Sequence, residues 1–131
     1  MQTPPVLIVE DDEDIRESLQ DFLQDHGYQT MGAVNGRDAL KRLAASDLRP
    51  CAIILDLMMP VMDGRAFREE QLLSPALAEI PTILISAHND VAGPWADAGI
   101  THRLPKPLNL SALLQILRQL SAPAQESRAP G

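Results

Sequence analysis

The chain reads as an α/β domain: a doubly wound parallel sheet of five strands covered by helices. Three observations predict this. Apolar runs of strand length recur between segments of helical period, an alternation that builds parallel sheets from β/α units. The clearest runs, Val6-Leu7-Ile8-Val9 and Ala52-Ile53-Ile54-Leu55, lack polar alternation, as expected of strands buried on both faces. The length of 131 residues, with 45% hydrophobic and 22% charged, fits one ordinary domain.

Val6 to Val9 is the first strand. After an acidic cluster, Ile15, Leu19, Phe22 and Leu23 fall on one face at helical spacing, and Gly27 supplies a C-terminal stop. Tyr28 to Met31 is a weaker, edge-like strand. Asn35 is placed to cap a helix that turns Ala39, Leu40, Leu43 and Ala44 inward, and Pro50 breaks the chain behind it. Ala52 to Leu55 is a buried strand that delivers Asp56 at its end, and Met59-Pro60 followed by Asp63-Gly64 signals a loop and a turn. A helix is expected from about Arg65 to Leu73, then a fourth strand over Thr82 to Ile85 ending at Ser86. Alternation asks for a helix over Val91 to Ala98, which Gly93-Pro94 makes short or irregular. A short fifth strand falls within Gly99 to Leu104. Asn109 caps a last helix whose Leu110, Leu113, Leu114, Leu117 and Leu120 form an apolar face. The domain spans residues 5–121, and residues 122–131, small, polar and proline-bearing, read as a flexible tail or truncated linker.

Composition narrows the function. The formal net charge of −7 argues against direct nucleic acid binding, which needs clustered Lys and Arg to displace counterions. Aromatic content of 3% leaves few side chains on which single-stranded bases stack. The longest apolar stretches are far short of a membrane span, which argues against insertion, and Met1 to Pro5 lacks a secretory signal, so a cytoplasmic location is expected. A lone Cys51 has no disulfide or CxxC partner and reads as a small buried hydrophobe opening a strand. The acidity points toward a cation.

In an open parallel sheet, ligands bind at the carboxyl ends of the strands. Here those ends carry Glu10-Asp11-Asp12, Asp56, Ser86 and, after the fifth strand, Lys106-Pro107. Close carboxylates repel by roughly 1 to 4 kcal/mol per pair, so a cation would relieve the site. Hard carboxylate oxygens without His or Cys select Mg²⁺ or a similar ion, which accepts phosphate oxygens as further ligands. Asp56 is then suited to attack a phosphoryl donor while the metal and Lys106 offset charge and Ser86 binds a phosphoryl oxygen. Taken singly, these residues carry less. The acidic run also suits a helix start, with Asp12 to Asp14 as cap and first-turn residues, Ser86 suits a strand end and Lys106 a surface. Asp56 differs, because a carboxylate set between apolar runs is costly to bury without compensation.

The segments Val-Leu-Ile-Val-Glu-Asp-Asp-Glu-Asp-Ile-Arg, Ile-Leu-Asp-Leu-Met-Met-Pro-Val-Met-Asp-Gly, Ile-Ser-Ala and Leu-Pro-Lys-Pro-Leu resemble, in order and spacing, the signatures of the receiver domain of bacterial two-component response regulators. The resemblance runs from about Val6 to Leu120. It implies the flavodoxin-like (βα)5 receiver fold, Glu10 and Asp11 as the metal pair with Asp56 and the backbone carbonyl of Met58 as further ligands of Mg²⁺, Asp56 as phosphoacceptor, Ser86 as switch hydroxyl and Lys106 as phosphate-binding lysine. It also implies a cis bond between Lys106 and Pro107. The partners it implies are a sensor histidine kinase or histidine phosphotransfer protein as donor and a downstream protein target. Such a domain is no separate enzyme, although it assists its own phosphorylation and dephosphorylation. This sequence departs from the family pattern in Arg103, where an aromatic residue usually stands, in the shorter stretch from Ser86 to Lys106, and in Met58 and His88, which flank the acceptor.

Two other functions compete. A degenerate receiver acting as a protein-binding scaffold would keep the fold without the chemistry, yet Glu10, Asp11, Asp56, Ser86 and Lys106 are all present. A Mg²⁺-dependent phosphatase with an aspartyl nucleophile needs a general acid two positions after it, where Met58 stands.

Overall fold

The computed structural model describes residues 4–45, 49–57, 61–86 and 102–121. Five strands, β1 (Val6–Val9), β2 (Thr30–Ala33), β3 (Ala52–Asp56), β4 (Thr82–Ser86) and β5 (His102–Pro105), form one sheet in the order β2-β1-β3-β4-β5. All four pairings are parallel. The helices among the described residues are α1 (Glu13–Asp25), α2 (Gly36–Ala45), α3 (Gly64–Leu73), α4 (Pro75–Ala78) and α5 (Leu110–Ser121). The doubly wound α/β class predicted from the alternation is the one observed. The helix expected over Val91 to Ala98, His88, the Met58 carbonyl and the tail from residue 122 lie outside the described residues.

Alternate residues of each strand feed opposite cores, because successive side chains point to opposite faces. Leu7, Val9, Ile53, Leu55 and Leu84 pack in one core with Ala39 of α2 and Phe67 of α3. Val6, Ile8, Ile54, Ile83 and Ile85 pack in the other with Leu19 and Leu23 of α1 and Leu113 and Leu117 of α5. Every residue of β1, β3 and β4 is buried, which explains why these strands read as unbroken apolar runs. Each large apolar side chain withdrawn fully from water contributes about 1.5–3 kcal/mol.

The caps follow the sequence closely. Asp12 accepts from the N–H groups of Asp14 (2.9 Å) and Ile15 (3.2 Å) at the start of α1. Asn35 accepts from the Asp38 N–H (2.8 Å) at α2 and Asn109 from the Ala112 N–H (3.0 Å) at α5. Each bond satisfies an N–H that the first helical turn leaves without an internal partner.

Several expectations are corrected. The second strand begins at Thr30 rather than Tyr28. Gly27, at φ +92°, lets the N–H of Tyr28 turn back to the Leu23 carbonyl (2.9 Å) and its own N–H to Gln24 (3.1 Å). This double closure of a helix terminus claims the N–H of Tyr28, the residue that would have opened the strand. Asp63-Gly64 is a helix start rather than a turn, since Asp63 caps α3 by accepting from the Ala66 N–H (2.9 Å). The short α4 was not foreseen. It is fixed by the buried Gln71, which donates to the carbonyls of Leu77 (2.9 Å) and Ile80 (3.3 Å) while its oxygen accepts from Arg68 (2.9 Å). Ala44 is exposed, and Ile15 and Leu110 are 43% and 37% exposed. The last two sit in the first turns of α1 and α5, where they line an open cavity. Cys51 is half-buried immediately before β3, and burial pushes its thiol pKa up.

Gly64 marks where α3 meets the sheet most closely. A Cβ there would lie 2.6 Å from the carbonyl oxygen of Asp56 and 2.9 Å from Cα of Leu57, and both are backbone atoms that cannot step aside. Phe67, one turn further on, is fully buried. Phe67→Ala is expected to cost about 3 to 5 kcal/mol of folding stability, read as a lower urea midpoint with the slope of the transition retained.

Candidate functional site

Strand order places β1 and β3 side by side at the centre, with the connection from β1 running to β2 on one flank and the chain returning to β3 on the other. That reversal opens a crevice at the carboxyl edge. Backbone hydrogen bonds carry the sheet past the strand ends and fix the site residues. The Glu10 N–H donates to Ala33 (3.0 Å), the Leu57 N–H to Ile85 (3.0 Å) and the Lys106 N–H to Ser86 (2.9 Å). The Lys106–Pro107 peptide bond is cis, as the resemblance implies.

Into this crevice project Glu10, Asp11 and Asp56, each offering a carboxylate oxygen within 4.8 Å of the others. Asp56 is 2% and Glu10 4% exposed, whereas Asp11 opens to solvent. Lys106 reaches over from the end of β5 and places Nζ 3.1 Å from Oδ1 of Asp56. Ser86 is buried at the end of β4, and its Oγ finds no hydrogen-bond partner among the described residues. Of the residues singled out in the sequence, four therefore converge directly and Ser86 stands beside them on the adjacent strand. Arg103 lies within β5, half-buried, paired in register with Leu84.

The electrostatics follow from burial. Loss of water pushes the Glu10 carboxyl up, the Asp12 N–H bonded to it at 3.1 Å pulls it down, and the charge and hydrogen bonding of Asp56 and Asp11 push it up again, leaving it at about 7. Lys106 loses some solvation, which lowers its pKa, but the hydrogen bond and charge of Asp56, joined by Glu10 and Asp11, hold it above the ordinary value. The oxygen-only donor set of Glu10, Asp11 and Asp56 fits a hard divalent cation. A buried hydroxyl with no partner among the described residues is suited to an incoming oxygen-rich group. Beside the cluster, an open cavity of about 400 Å³ runs between α1 and the start of α5, lined by Ile15, Leu19, Pro107, Leu108 and Leu110 among others.

One contributor was missed in the sequence. Arg16 donates from Nη1 to the backbone carbonyl of Glu10 at 2.8 Å. The only signal was a single base within an otherwise acidic α1.

The carboxylate crevice lies at the switch point of a parallel sheet, with a lysine on its most buried acid. Residues 6–118 match the response regulator receiver domain family, and the chain belongs to that family, whose members act in two-component signalling. It is 40% identical over 117 residues to the response regulator MprA of Mycolicibacterium vanbaalenii, covering 88% of this chain and 49% of the relative. Identity to MprA of Mycobacterium avium is 37% over 117 residues, covering 88% of this chain and 50% of the relative. The chain thus spans about half the length of the curated relatives it matches. Among solved structures, a response regulator receiver protein from Pseudomonas putida superimposes with a TM-score of 0.83 at 28% identity, covering 91% of this chain and 98% of that one. The receiver domain of a signal transduction histidine kinase from Syntrophus aciditrophicus gives 0.80 at 32% identity, with coverage of 90% and 89%.

In metal-free buffer, Glu10 should make stability fall with rising pH. Its pKa is about 7 in the fold against an ordinary 4.5, so the native state holds the proton longer than the unfolded chain and loses stability as pH rises through that window. The expected outcome is that Glu10→Gln gains melting temperature over the unmodified chain progressively from the lower value to the upper one. Melts in EDTA across that range check it, and a difference independent of pH counts against the shift.

Proposed function

We propose that this receiver accepts a phosphoryl group on Asp56 from a sensor histidine kinase or a histidine phosphotransfer protein, beside Mg²⁺ held by Glu10, Asp11 and Asp56 with the Met58 backbone carbonyl. The observation that supports this most is the buried Asp56 carboxylate, held 3.1 Å from Lys106 inside a cluster of acids. In the transfer, an Asp56 oxygen forms a bond to phosphorus as the bond from phosphorus to the donor's imidazole nitrogen breaks, and the product is an acyl phosphate. Bound Mg²⁺ supplies charge neutralisation at the phosphoryl oxygens. Lys106 then turns its ammonium from Asp56 to a phosphoryl oxygen, and the Ser86 hydroxyl donates to another. A dianionic group with strong acceptor oxygens reorganises its neighbours, and we take this as the signal passed to a downstream protein.

On this reading the domain is cytoplasmic and assists its own phosphorylation and dephosphorylation without being a separate enzyme. One solved relative, 28% identical, is the receiver domain of a DNA-binding response regulator from Colwellia psychrerythraea. The net charge of −7 here disfavours phosphate-backbone contact by this domain itself. A phosphatase would require an acid where Met58 stands, and a scaffold would have no use for the buried carboxylate.

Incubation with acetyl phosphate and Mg²⁺ is expected to add one phosphoryl group, detected by intact-mass spectrometry, and Asp56→Asn is expected to abolish it. An adduct persisting in that variant overturns the assignment, and none on the unmodified chain favours the scaffold. Mg²⁺ alone is expected to raise the melting temperature, with a gain of about 2.7 kcal/mol when its concentration is a hundred times Kd. A melting curve that does not move in Mg²⁺ would exclude Glu10 and Asp11 as ligands.

A further inference from the structure

Glu10 is held at three points, two on its backbone and one on its carboxylate. Its N–H donates to Ala33 (3.0 Å), its Oε2 accepts from the Asp12 N–H (3.1 Å), and its carbonyl accepts from Arg16 Nη1 (2.8 Å). The third of these bonds comes from a side chain that crosses the face of β2 to reach it. It passes over Gly32, where an added Cβ would lie 3.1 Å from Cδ of Arg16 and 3.3 Å from the amide of Gln20. Gly32 thus leaves the channel through which the arginine extends. Arg16 also belongs to the first turns of α1, its N–H donating to the Asp12 carbonyl at 2.9 Å. One residue therefore ties both ends of the segment from Glu10 to Asp12.

We infer that Arg16, admitted by Gly32, is a positioning residue that sets the orientation of the Glu10–Asp11 segment for a divalent cation. The inference rests on the reading of Glu10 and Asp11 as metal ligands. It has a signature that distinguishes geometry from charge. A guanidinium near a cation site repels the cation, so if Arg16 acted only through its charge, removing it would tighten Mg²⁺ binding. If it acts by holding the ligand segment, removing it weakens binding, as losing outer-shell support commonly does.

The test is isothermal titration of the full chain with MgCl₂ for Arg16→Gln, Arg16→Lys and Gly32→Val, each accompanied by a urea melt in EDTA. Arg16→Gln is expected to raise Kd for Mg²⁺ about tenfold, with Arg16→Lys recovering part of the loss. Gly32→Val keeps the charge, fills the channel and is expected to weaken binding in the same direction. It carries the test if Arg16→Gln does not fold. An unchanged or lower Kd in Arg16→Gln or, failing that, in Gly32→Val overturns the positioning role while leaving the metal ligands intact. Absence of Mg²⁺ binding by the unmodified chain overturns the metal reading and this inference together.

Discussion

The structure is organised around carboxylates that have been taken out of water at the carboxyl edge of the sheet. Asp56 and Glu10 are buried, Asp11 lies against them, and Lys106 is the contacting cation. Burying charge without full pairing is expensive, and the expense has to be met by the rest of the fold. Two cores, one on each face, supply the compensation, with β1, β3 and β4 buried along their whole length. The ladder bonds that run past the strand ends then prevent the acids from relaxing apart. Stability generated in the body of the sheet is thereby spent as electrostatic strain at its edge.

Much of this was legible in the sequence because the relevant signals are local. Val6 to Val9, Ala52 to Leu55 and Thr82 to Ile85 are apolar without alternation, and a strand covered on both sides leaves no other trace. Asp56 stood out because an acid bracketed by apolar runs has no inexpensive structural use. Asp12, Asn35 and Asn109 announced their helices because a cap is satisfied within three residues. What was not legible depends on contacts distant in sequence or on a competition between local motifs. Tyr28 has a strand-forming composition, yet the helix closure at Gly27 claims its N–H first. The helical period of α1 includes Ile15, but periodicity does not report the open cavity that it lines. Nothing in the sequence alone reveals that Arg16 reaches the Glu10 carbonyl across Gly32.

The carboxylate crevice and Arg103 draw on different parts of the fold. The acids, Ser86 and Lys106 are placed by backbone bonds between neighbouring strands, so their arrangement is inherited from the sheet. Arg103, in contrast, occupies the outer strand at a position where the family pattern usually places an aromatic ring. That puts a planar cation on β5, in register with Leu84 of β4. The crevice carboxylates and the outer edge of the sheet thus stem from different strands.

The approach of α3 to Asp56 sets a mechanical limit as well as a packing one. A Cβ at Gly64 would meet the Asp56 carbonyl oxygen at 2.6 Å, so the backbone on that side has no clearance. The start of α3 is a fixed abutment behind the Asp56 backbone, so a side chain of any size at position 64 would have to displace the end of β3.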